Sequence, residues 1–223
     1  MVAQVGKSLR TPRAAAGAGI AFSLLLGAVY VLLRLSIPTD PNDSEWLSER
    51  ASFVRLALAL VPFAGIAFLW FMGVLRDRIG DSEDRFFSTV YTGSGLLFLA
   101  MVFVAAAGAG SLLATYARVG NSIVDSGVYS YVRDMIYVIN NVYSVRMAAV
   151  FMFSLGTVGI RTKYIPVWLS IVTYVLALSL LLVISHNLWV SLVFPAWVLV
   201  VSVYLLFTNF HSNSQSDTPA NSG

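Results

Sequence analysis

Arg76-Asp77-Arg78-Ile79-Gly80-Asp81-Ser82-Glu83-Asp84-Arg85 interrupts an apolar stretch that runs from Leu56 to Ala117. About 20 apolar residues cross the hydrocarbon of a bilayer as a helix, and a helix satisfies every backbone group there. The two flanking runs are therefore predicted to be spanning helices joined by a tight charged turn. Helix-end physics accounts for the charges. Arg76 and Arg78 fall in the last turn of the incoming helix, where the macrodipole is negative. Gly80 is placed to be the left-handed stop. Asp81 or Ser82 can cap the next helix, with Glu83 and Asp84 at its positive end.

Composition extends this reading to the whole chain. With 58% hydrophobic residues, 11% charged residues and a mean hydropathy of +0.79 over 223 residues, the protein carries too little charge for a water-soluble domain. The expected fold is all-α: a polytopic membrane helix bundle of about six spans with short connections. The organisation expected is a basic cytoplasmic segment at 1–13, a transmembrane domain at 14–207, and a disordered serine- and asparagine-rich tail at 208–223. A net charge of +3 is no nucleic-acid footprint. The absence of cysteine excludes disulfides and thiolate chemistry.

Lys7, Arg10 and Arg13 precede the first apolar run, Ala14 to Leu33. Its length and lack of a small-residue cleavage site favour an uncleaved span over a signal peptide. Gly19, Ser23 and Gly27 recur every fourth residue and make a smooth packing face, inside the bundle or between protomers. Ala106 and Gly110, within Ala105-Ala106-Ala107-Gly108-Ala109-Gly110, make a second such face on the third span. Residues 37–55 read as a polar loop leading into a helix start at Ser48-Glu49-Arg50. The second span covers Phe53 to Ile79, with a kink expected at Pro62. The third runs from Ser82 to Arg118, longer than a bilayer requires. After a short link the fourth ends at Arg161, which puts its far membrane edge near Val142. Residues 129–141 and the end of the third span should thus stand beyond the outer membrane face. Pro166 opens a fifth span that ends near Ser185. The sixth runs from Leu188 to Phe207, with a kink expected at Pro195.

The extended part of the fourth helix is the most polar non-loop region. Arg133, Tyr137, Asn140, Asn141 and Ser144 recur at helical spacing on one stripe, and Arg146 lies one turn inside the predicted membrane edge. These six residues are the candidate ligand or partner site. An intramembrane arginine is a functional-site hypothesis by default. Arg146 can instead snorkel to the outer face, so the alternatives are snorkelling and an inward role with an anion, Asp125 or Asp134.

Basic residues set the expected orientation. With the N-terminus inside, eight of the 14 Lys and Arg residues fall on the cytoplasmic side and six on the other, the inner ones in short segments. Trp70 and Trp168 then sit near the inner interface and Trp189 near the outer one, and both termini are cytoplasmic.

Catalytic signatures are sparse. Gly93-Ser94-Gly95 has the look of a serine-nucleophile turn, but His186 and His211 lie outside the spans and cannot serve it. The same placement argues against haem or metal sites, and no phosphate-binding loop is present. No cofactor and no nucleic-acid partner are expected. The phrases Phe68-Leu69-Trp70-Phe71-Met72-Gly73-Val74-Leu75-Arg76-Asp77-Arg78, Asp84-Arg85-Phe86-Phe87, Gly93-Ser94-Gly95-Leu96-Leu97-Phe98 and Phe194-Pro195-Ala196-Trp197-Val198-Leu199 resemble small multi-spanning membrane proteins of bacterial, actinobacterial-type genomes. That resemblance covers spans two to six and implies a bacterial inner membrane; it carries no activity and no functional residue. The leading functional expectation is a non-catalytic subunit or scaffold, with the bilayer and a second copy or another membrane protein as partners. The alternative is a small transporter or channel for an anion or a neutral, apolar solute, using Arg146 and the polar stripe. A surface enzyme working with arginine, tyrosine and carboxylates is the third reading. The small molecule is unidentified in either of the last two.

Overall fold

The computed structural model describes residues 11–38, 40, 43–79, 85–162, 166–182 and 188–214. The turn at residues 80–84, with its predicted caps, and the histidine at 186 lie outside these. Within them the chain is almost wholly helical and contains no strand. Its elements are α1 (Thr11–Ser36), α2 (Trp46–Glu49), α3 (Ala51–Ile79), α4 (Arg85–Val119), α5 (Ser122–Asp125), α6 (Val128–Val138), a π-helix (Ile139–Ser144), α7 (Val145–Thr162), α8 (Val167–Leu182), a 3₁₀ helix (Leu188–Leu192) and α9 (Val193–Ser214).

Five helical stretches are long and apolar enough to cross a membrane: Ala16–Ser36, Ala51–Arg76, Ser88–Val119, Val128–Arg161 and Trp189–Phe207. The sixth predicted span is α8, with 16 residues in the described part. The protein is a polytopic helix bundle. α4 has 35 residues and rises on the order of 50 Å, well beyond a hydrocarbon core of about 30 Å. α6, the π-helix and α7 follow one another without a break and form a second rod of similar length. At the end where α4 stops, α2 and the first turn of α3 pack against the two rods. Gly120 and Gly127, at φ 60° and 76°, take the left-handed conformations that turn the chain from α4 through α5 into α6.

α1 packs along α3 and α9, and α8 packs on α7. The centre is closed by rings. Phe68 is fully buried and meets Phe22, Phe98, Phe151 and Phe194 at centroid separations of 4.6–5.9 Å. Tyr91 stacks on Phe151 at 4.7 Å, and Trp197 stacks on Phe194 at 6.0 Å. These come from α1, α3, α4, α7 and α9, so one aromatic cluster joins five helices. Three buried hydroxyls return to their own helix: Ser23 donates to Gly19 O at 2.8 Å, Ser154 to Val150 O at 2.9 Å and Thr173 to Leu169 O at 2.8 Å.

A second, smaller core lies at the end of the long rods. Trp46, Leu47, Ala51, Val54, Leu112, Leu113, Ile123 and Tyr129 are buried together. The region read as a solvated loop followed by a helix start is thus a packed headpiece. α2 and α5, each of four residues, were not predicted; so short a helix carries no periodic signal.

α3 runs from Ala51 to Ile79 with Pro62 inside it, close to the bounds expected of the second span. Two other expectations change. Pro195 is the third residue of α9, where its missing N–H removes no α-helical bond, and the irregularity comes earlier as the change from 3₁₀ to α at Leu192–Val193. α9 also extends to Ser214, into the stretch assigned to a disordered tail, because lengthening an existing helix is far easier than starting one.

The first small-residue face is used inside the bundle at Gly19 and Ser23. A side chain on Gly19 would run into Ser202 Oγ and into Phe71 at 2.8 Å, so Gly19 is where α1 meets both α9 and α3. Ser23 is buried beside it. A side chain on Gly27 would meet nothing within 4 Å. Gly110 faces Leu58 of α3 with room to spare, and Ala106 packs against the central core.

Candidate functional site

The predicted polar stripe does not form one site; it divides between two structures. Arg133, on α6, works in the headpiece. Its guanidinium donates to Pro38 O and Asp40 O, both at 2.7 Å, to Asp43 O at 3.4 Å, and to the Tyr129 hydroxyl at 3.0 Å. The planar fork of arginine suits several carbonyls at once, and each bond is charge-assisted. Tyr129 in turn donates to Asp43 O at 2.6 Å and accepts from the Trp46 indole N–H at 3.0 Å. Arg133 therefore binds the loop after α1 to α6. From between α2 and α3, Arg50 donates to Leu35 O at 2.6 Å, satisfying a carbonyl in the last turn of α1.

Asn140 and Asn141 lie in the π-helix, about two turns nearer the bundle. The Tyr30 hydroxyl of α1 donates to Asn140 Oδ1 at 3.2 Å. Asn140 Nδ2 donates to Ser191 Oγ at 3.3 Å, and Ser191 Oγ donates to Asn141 Oδ1 at 3.0 Å. One directed chain of neutral hydrogen bonds thus ties α1, the π-helix and the 3₁₀ helix. Both asparagines bond to the one serine from a stretch wound as a π-helix, with i→i+5 bonds.

Beside this node is a cavity of about 10 Å³. Tyr30, Ser144 and Ser191 supply its polar lining, and Phe98 and Phe194 of the aromatic cluster form its apolar side. That is room for about one water molecule, with three hydroxyl-bearing residues within reach of it. Ser144 is 1% exposed, and Tyr137 is half-buried on α6.

Arg146 is half-buried and donates to Val142 O at 3.0 Å. Its side chain runs back along its own helix toward the headpiece, the direction in which helical side chains lean. Among the described residues it forms no ion pair with Asp125 or Asp134. Ser94, the serine of Gly93-Ser94-Gly95, sits within α4 and gives its hydroxyl to Val90 O at 2.7 Å and Tyr91 O at 3.1 Å. Trp70, Trp168 and Trp189 are all exposed.

Sequence reasoning missed Tyr30, Ser191 and Trp46. Tyr30 and Ser191 are single polar residues in apolar segments and Trp46 stands in a polar one, and only tertiary contact gives each a role. The adjacent asparagines were the one available signal for the π turn, since two poor helix formers sit side by side within a long rod. No protein-family profile, no curated protein and no solved structure matches the chain.

Proposed function

We propose that this chain is a non-catalytic integral membrane protein of the bacterial inner membrane, with both termini cytoplasmic, that acts by association with a second copy or with another membrane protein. The observation that carries this reading is the headpiece. It is a packed and clamped structure, yet the outward side of α6 leaves Val128, Tyr131 and Val138 46%, 70% and 39% exposed. On a rod of this length these residues stand beyond the hydrocarbon, where water rather than lipid would meet them, and apolar surface in water favours a protein partner. The aromatic cluster adds support, since interlocked rings leave little room for a solute in the middle of the bundle.

The chain contains no cysteine, so Tyr131→Cys and Val138→Cys place single thiols on this face. Labelled with a benzophenone maleimide and illuminated in native membranes, both should give one discrete adduct of constant mass. Ile171→Cys on the exposed side of α8 should give none. Adducts from neither headpiece position would remove the reading.

Transport of a small neutral or anionic solute is the second reading. It is favoured by the π turn and the cavity, where α1, α4, α7, α8 and α9 converge. Flux through reconstituted protein that is lost in Arg146→Ala, with folding unchanged, would establish it.

A further inference from the structure

The π-helix occupies a particular place: it is the joint between α6, which belongs to the headpiece, and α7, which belongs to the bundle. A π turn holds one residue more than the α turn it replaces and has poorer backbone geometry, so it persists where other contacts favour it. Tyr30 and Ser191, from two other elements, hold Asn140 and Asn141 on the same side of the helix. Arg133 and Tyr129 hold the other end of α6 to the loop through Pro38, Asp40 and Asp43. The node is built from uncharged groups, and such interhelical bonds are individually weak.

We infer that residues 139–144 are a register latch: converting this π turn to α rotates the headpiece helix relative to the membrane bundle, and the Tyr30–Asn140–Ser191–Asn141 node holds it in the π state. The extra residue advances the helix by about 100° and about 1.5 Å when it enters an α turn. Such a rotation would turn Val128, Tyr131 and Val138 to a new direction. It would also pull Arg133 off the loop carbonyls, so node and clamp release together. A contact on the headpiece is thereby coupled to helix packing in the membrane.

The absence of native cysteine allows the test to be made on the full chain in nanodiscs. Spin labels at Ser130→Cys on α6 and Leu56→Cys on α3 report the rotation by pulsed electron resonance. Side chains ride about 5–6 Å from the helix axis, so the label distance should shift on the order of 8 Å. A single narrow distance is expected for the parent chain. Ser191→Ala should add a minor second distance, and Ser191→Ala combined with Arg133→Gln should make that second distance dominant. Tyr30→Phe should act as Ser191→Ala does. Deleting Asn141 from the double variant should restore the narrow parental distance, because no extra residue remains to be accommodated. One parental distance in the double variant overturns the latch. So does a broad distribution that the deletion does not narrow, because that outcome is an unfolded headpiece and not a rotated helix.

Discussion

Around Phe68 the bundle is closed by rings, and around Arg133 the same long helices are closed by hydrogen bonds. Phe68 has four ring neighbours within 5.9 Å and is fully buried. Arg133 has three backbone carbonyls and a tyrosine hydroxyl, and is only half-buried. The first region is held by volume: lipid is as apolar as the core, so what favours the packed state is dispersion between well-fitted surfaces. The second is held by direction, because the loop after α1 has carbonyls that only a correctly placed donor can satisfy. A region filled by volume resists passage, whereas one held by directed bonds can be released a few bonds at a time. This contrast places the adjustable part of the molecule at the headpiece end.

The largest effect should come from Phe68→Ala. Removing the ring common to the contacts of five helices should cost about 2–4 kcal/mol of bundle stability, less than the same change in a water-soluble core because only the packing part is lost. Steric-trapping or reversible unfolding in bicelles measures it, and the contrast breaks if the loss is under about 1 kcal/mol.

Arg133→Gln should remove about 1.5–3 kcal/mol, confined to the headpiece. Hydrogen exchange of residues 43–50 should rise while the amides of α3 and α7 keep their protection. Arg133→Lys should not restore it, because a lysine cannot present the fork. A uniform rise over both regions would show that the two are one cooperative unit.

Gly19→Ala should cost about 1–3 kcal/mol by forcing α1 away from Ser202 and Phe71. Gly27→Ala, eight positions on and facing open space, should stay within about 0.5 kcal/mol. Equal effects at the two glycines would contradict the placement of the α1 packing face inside the bundle.

The architecture was legible because each span carries its own apolar length, and the over-long rods could be seen by counting back from Arg161. The α3 start, the α4 end and the break before α6 fell within a few residues of expectation for that reason. The site was legible only in part. Arg133, Tyr137, Asn140, Asn141 and Ser144 were selected by a helical period, but the π turn changes that period between Arg133 and Ser144. Residues that share a stripe in the sequence therefore serve two different structures. Arg146 drew attention as a charge within a span, and the structure gives its hydrogen bond to Val142 on its own helix. The partners that give these residues their roles, Tyr30 and Ser191, are 110 and 51 positions away from Asn140, and no local pattern links them.

The most direct measurement is native mass spectrometry of the protein released from nanodiscs, which counts protomers and retained molecules together. Function by association calls for a defined oligomer or a stoichiometric protein partner with no retained solute, and for its loss in Tyr131→Asp with the bundle still folded. A monomer that carries one specific small molecule would contradict it and turn attention to the cavity beside Tyr30 and Ser191.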